Sequence, residues 1–302
     1  MPRMVPTVDC EHCRCVDEGR TRENVRCCDV TPQFPNFLVG ELLQSQEHEV
    51  ISSWITQRRG DPYSLLVPPV VAKAHLDARV DGLYGMACPL LHVETGRCSV
   101  YAFRPGLCVG YHCYYPDVMW VEMWSCLTSL LCAAEDAASR YLVQRAGFSF
   151  RRMSAIWEHF EDELAIWDGV GQRAEVYNEL WQDWLGREEA FYKLCFARLH
   201  EEGEEAWEQI VALQEEHLFA RRDHGVLGLE GAMSAGIMPI KPTTSLRMIY
   251  RKGRIRPEEN VLSLPVQERL LMWYMEQLEQ KGRWGRWTRF FREISWGGKL
   301  GE

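Results

Sequence analysis

Cysteine sets the chemistry open to this chain. Four cysteines, Cys88, Cys98, Cys108 and Cys113, lie in the run CPLLHVETGRCSVYAFRPGLCVGYHC, separated by two gaps of nine residues and one of four. Gly96, Pro105 and Gly110 fall in or near the turns between them. Thiolate sulfur is polarisable and loses its proton readily beside a cation, so four such groups can close a tetrahedral shell around zinc or hold an iron–sulfur cluster. A second quartet stands earlier, at Cys10, Cys13, Cys27 and Cys28. The Cys10-x-x-Cys13 spacing is a metal knuckle by itself. Cys27 and Cys28 are adjacent, and neighbouring side chains of extended backbone leave on opposite faces, so this pair is expected to serve different sites or to include one structural cysteine. One tetrahedral ion takes only four of the eight thiolates, and the pattern therefore implies two mononuclear sites or one polynuclear site. Thiolate ligands accept zinc and iron alike, so the expected metal is zinc or iron, an iron–sulfur cluster included.

Several neighbours are secondary candidates. Cys15, His12, His92 and His112 could each replace a thiolate, although a histidine beside a cysteine cluster more often supports a ligand than acts as one. Cys126, Cys132 and Cys195 fall among apolar residues of predicted helices and read as core. A guanidinium at Arg104 would offset thiolate charge and donate to sulfur.

Residues 88–113 resemble the second half of the YkgJ-like zinc- or iron-chelating cysteine-cluster family. The match runs through Cys88, Leu90 and Leu91, then Cys98, Ser99, Tyr101, Arg104 and Pro105, and the closing Cys108 and Cys113. The family's compact first-half motif, Cys-x-x-Cys-x-x-Cys-Cys, is opened here, with eleven residues between Cys15 and Cys27. The resemblance is confined to residues 1–115 and implies thiolate-held zinc or iron there. Flagellin lysine N-methylases carry a related cluster, so a protein-lysine methyltransferase is the alternative that the resemblance implies. Against it, no glycine-rich strand-to-helix loop for a nucleotide-like methyl donor is visible.

Composition narrows the setting. A chain of 302 residues with 46% hydrophobic and 25% charged content describes ordinary globular protein of one or two packed units. No signal-peptide core and no apolar run of about 20 residues is found, so a cytoplasmic protein with no membrane contact is expected. Reducing conditions there favour metal ligation over disulfides for the nine cysteines of the first 113 residues. The net charge of −9 is uneven: residues 151–220 carry a net of −11 and residues 241–302 a net of +6. Mutual attraction of these segments is the simplest reading, ahead of an external partner.

The elements that must position the cysteines are mostly helical. Residues 1–36 have little hydrophobic periodicity, so metal must supply their order. Leu42, Leu43, Val50, Ile51, Trp54 and Ile55 predict a helix over residues 40–58, stopped by Gly60-Asp61-Pro62. A short helix over 69–78 follows the Pro68-Pro69 pair. Residues 79–115 read as loops with short extended pieces, and residues 117–145 as a long buried helix ended by Gly147. Four apolar stripes follow: Trp157, Phe160, Leu164 and Trp167; Tyr177, Leu180, Trp181, Trp184 and Leu185, closed by Gly186; Phe191, Leu194, Cys195 and Leu199; and Trp207, Ile210, Val211 and Leu218. Residues 223–244 read as a connection, the segments beside Lys252-Gly253 as a small hairpin, and residues 265–280 as an amphipathic helix.

Two other chemistries fit poorly. A di-iron bundle needs inward Glu-x-x-His pairs, which the acidic helices lack, and Glu201, Glu202, Glu204 and Glu205 read as a solvated run. The Arg-, Trp- and Phe-rich tail could stack nucleobases, but docking on the acidic helices is the simpler expectation, so nucleic acid is not an expected partner. The expected fold is mainly α. A metal-stabilised, loop-rich cysteine-cluster domain (1–115) packs on an antiparallel helical bundle (116–222), followed by a connecting segment, small hairpin and basic helical extension (223–302). The expected function is metal binding, with a structural metal in a scaffold or interaction module for a protein partner.

Overall fold

The computed structural model describes residues 14–19, 28, 31–45, 48–77, 87–92, 94–109, 118–159, 166–201 and 209. They are mainly α. In order come α1 (Arg14–Asp17), β1 (Phe34–Pro35), α2 (Asn36–Leu42), α3 (His48–Thr56), β2 (Ser64–Leu65), α4 (Pro69–Asp77), β3 (Leu91–His92) and β4 (Arg97–Cys98). A 3-10 turn (Tyr101–Phe103), α5 (Gly106–Val109), α6 (Val118–Arg145), α7 (Phe150–His159), β5 (Trp167–Asp168), β6 (Gly171–Gln172), α8 (Ala174–Trp181), a second 3-10 turn (Gln182–Trp184) and α9 (Glu188–Glu201) follow. The stripe through Trp207, the segments beside Lys252-Gly253, residues 265–280 and the basic tail lie outside the described residues. The described residues of 8–105 and 138–201 form one compact unit, and those of 106–137, with residue 209, belong to another.

The core of the first unit is the crossing of α2 with α9. Phe37, Leu38, Val39 and Leu42 of α2 are buried, as are Phe191, Tyr192, Cys195 and Leu199 of α9. Gly40 permits the approach, because a Cβ there would collide with the Tyr192 carbonyl and lie 2.8 Å from Phe196 Cβ. Trp181 of α8 closes the aromatic cluster edge-on, with ring centroids 5.5 Å from Phe191 and 5.4 Å from Tyr192.

A strand pair lies beside this crossing. Phe34 of β1 pairs with Leu65 of β2, and Pro35 with Ser64. Asp61-Pro62-Tyr63-Ser64 forms the turn into β2. Asp61 Oδ1 accepts the Tyr63 and Ser64 N–H groups at 2.7 and 2.8 Å, and Asp61 N–H donates to the Ser64 carbonyl at 2.9 Å. Asn36, first residue of α2, donates through Nδ2 to the carbonyls of Pro62 (3.1 Å) and Ser139 (3.2 Å). Tyr192 Oη donates to the Asp61 carbonyl at 2.7 Å, so α9 fixes this turn as well as packing on α2.

Three sequence expectations need correction. The helix expected over 40–58 is two helices, α2 and α3. Gln44 and Ser45 N–H groups turn back to the carbonyls of Glu41 and Leu42 at 3.0 Å, and Ser45 Oγ also donates to Leu42 at 2.7 Å. These bonds take carbonyls that a continuing helix would use. The second helix ends at Thr56, before Gly60-Asp61-Pro62: Arg58 N–H bonds Ile55 and Arg59 N–H bonds Trp54, with Arg58 left-handed at φ 58°. Arg58 tolerates that conformation while its Nε donates to the Gln172 carbonyl at 2.7 Å and its own carbonyl accepts Gln172 N–H at 3.0 Å. The third correction is Trp167, which lies on β5, a two-residue strand turned by Gly169 onto β6 rather than a helical face.

Other expectations match. Residues Pro69–Asp77 and Val118–Arg145 are helical, and Gly147 and Gly186 take positive φ at helix ends. In the stripe Tyr177, Leu180, Trp181, Trp184 and Leu185, the first three are buried, whereas the helix stops at Trp181 and Leu185 is exposed.

Two measurements test this core. Gly40→Ala should destabilise the protein by about 3 kcal/mol in urea unfolding, the upper end of overpacking costs, and a loss within about 0.5 kcal/mol would refute the close crossing. Burial lifts the Asp61 carboxyl from 3.8 to about 7, against the opposing hydrogen bond from Ser64 N–H. The unfolded chain therefore loses this proton first, and stability contributed by Asp61 falls as pH rises between these values, by at most about 1.4 kcal/mol per pH unit. Asp61→Asn keeps the Oδ1 acceptor and should flatten that slope, so identical slopes in both proteins would contradict the assignment.

Candidate metal centre

The second cysteine quartet begins on a small hairpin. Leu91 N–H bonds back to the Cys88 carbonyl at 3.0 Å, and Ser99 N–H donates to Leu90 at 2.8 Å. Between them β3 and β4 pair Leu91 with Cys98 and His92 with Arg97, and Gly96 takes φ 64° in the connecting turn. Leu90, Leu91 and Val100 are buried, while His92 and Arg97 are exposed. His92 therefore shares the outward face of the hairpin with Arg97, opposite to the pair that carries Cys98. The following 3-10 turn rests against α2. Arg104 braces that turn, with its guanidinium 3.7 Å from the Tyr101 ring centroid and Nε donating to the Tyr101 carbonyl at 3.0 Å.

Cys88 joins the two halves of the cysteine set. Its backbone N–H donates to the Cys28 carbonyl at 2.6 Å. Its side chain is buried at 7% exposure, and burial pushes the thiol up to about 11. The Leu90 backbone N–H pulls the other way, Cys98 adds like charge, and the Thr31 hydroxyl and the Arg59 charge favour the thiolate. Thr31 Oγ1 in turn lies 3.2 Å from His75 Nε2 on α4. When Thr31 donates to sulfur, the imidazole must donate to Thr31 through Nε2. His75 is 4% exposed, and its Nδ1 has no hydrogen-bond partner among the described residues.

Arg59 completes the setting. It follows the left-handed Arg58, and its guanidinium carbon lies 4.2 Å from the Trp54 ring centroid. Only 5% of the residue is exposed, and neither Nε nor Nη2 has a partner among the described residues. Burial lowers the guanidinium to about 10, partly restored by the charge of Cys88.

The expected ligands are thus brought together in part. Cys28, Cys88 and Cys98 belong to one unit, and the backbone of Cys88 bonds that of Cys28. Cys108 lies on α5 in the second unit, where both Glu135 carboxylate oxygens accept Gly106 N–H at 2.8 and 2.9 Å and so hold the first residue of α5. Cys10, Cys13, Cys27 and Cys113 lie outside the described residues, with His12 and His112. Cys15 is on α1. Cys195 is core, as expected, while Cys132 is half-buried. Among the described residues no group of three or more His, Cys, Asp or Glu is placed to hold a metal ion.

A thiol raised to about 11 is protonated near neutral pH, and a metal would displace that proton. The residues that sequence reasoning missed are Thr31, Arg59 and His75. Arg59 looks like half of a solvated basic pair in QRRG, and nothing local in the sequence announces its burial.

Glu135→Ala should free Gly106 N–H, speeding its amide exchange and the alkylation of Cys108, while Glu135→Gln, which retains an acceptor, should change both less. Equal rates in all three proteins would show that the carboxylate does not anchor α5. Comparison of the chain with family models, curated proteins and solved structures returned no match in any of the three.

Proposed function

We propose that this chain binds zinc or iron through its cysteine clusters, in the manner of the YkgJ-like family that its second quartet resembles. The metal keeps a loop-rich segment in shape, and the protein serves as a scaffold or interaction module. The observation supporting this most directly is the backbone hydrogen bond from Cys88 to Cys28, one member of each quartet. Four thiols in a turn-rich segment are poorly explained by packing alone, and a thiolate shell supplies folding free energy to loops that bury little apolar surface. When bound, the metal replaces the thiol protons and closes the loops around itself. A reducing, cytoplasmic setting belongs to this reading, because it keeps thiols available for metal. So does a metal-held segment over residues 1–115 followed by a helical bundle.

Metal analysis and absorption spectra of protein purified without oxygen test the proposal. More than one equivalent of zinc or iron per chain is expected, because eight thiolates exceed one tetrahedral shell. A brown solution containing sulfide would identify an iron–sulfur cluster, and a colourless one a zinc protein. Cys98→Ser should lower the bound metal and loosen amide protection around the β3–β4 hairpin while leaving α2 and α9 protected. Metal-free wild-type protein with all eight thiols rapidly alkylated would end the proposal.

A further inference from the structure

We draw no further inference here: the strongest candidate, the buried edge of the Arg59 guanidinium beside Trp54 in the turn after α3, whose Nε and Nη2 have no hydrogen-bond partner among the described residues, carries nothing because nothing in the structure shows what covers it.

Discussion

Tyr192 is the residue on which the first unit turns. Its main chain occupies the space left by Gly40, so α2 and α9 approach at backbone distance. Its hydroxyl donates to the Asp61 carbonyl at 2.7 Å, and Gly60 has no side chain to displace it. Trp181 packs edge-on to its ring while donating through Nε1 to the Gly60 carbonyl at 3.1 Å. Two residues of the α8–α9 region thus hold the carbonyls of Gly60 and Asp61, immediately after Arg59. A helix late in the sequence thereby fixes a turn early in it. Tyr192 is also completely buried, which raises its phenol well above the ordinary range and keeps the hydroxyl a donor.

The polar groups around Cys88 are out of balance in a consistent direction. Arg59 and His75 offer donors or lone pairs without partners among the described residues, and Thr31 bridges His75 to the thiol. Buried polar groups normally find partners, since leaving one unmatched costs about 1–3 kcal/mol. A solely packed cysteine would need none of these neighbours. Cys195 supplies the internal contrast: it too is buried, and burial raises its thiol, but it lies on α9 between Phe191 and Leu199 as a small apolar residue. Both thiols are raised by burial and drawn back by an arginine, Arg198 for Cys195 and Arg59 for Cys88, and only Cys88 has in addition a side-chain hydroxyl, that of Thr31.

Periodicity made much of the helical part legible. The stripes through Tyr177 to Trp181 and Phe191 to Leu199 are the buried faces of α8 and α9, and the glycines that end α6 and the α8 region announced themselves. The division between α2 and α3 was not legible, because it depends on Ser45 and Gln44 capturing carbonyls that apolar spacing does not register. Trp167 misled for a related reason: a large aromatic at helical spacing fits a two-residue hairpin strand equally well. At the site, the cysteine spacing located Cys88 and Cys98, while His92 was drawn in by its place in sequence and turned out by the two-residue period of the hairpin. Arg59 and His75 were invisible because their significance lies in contacts with residues far along the chain.

The metal proposed above would matter unequally to the parts of this architecture. The α2–α9 crossing is closed by apolar side chains and by donors such as Trp181 Nε1 and Tyr192 Oη that already have partners. The hairpin around Cys88 has one inward pair, Leu91 with Cys98, and a few backbone bonds. An isolated two-stranded hairpin is marginal in water, so its fixed shape must come from what it packs against or from a cation. The 3-10 turn against α2 supplies the first, on the side away from Cys88 in sequence. On the Cys88 side the hairpin is held by the bond from Cys88 N–H to the Cys28 carbonyl. The hairpin therefore depends on its surroundings for its shape, whereas the aromatic crossing is closed by its own side chains.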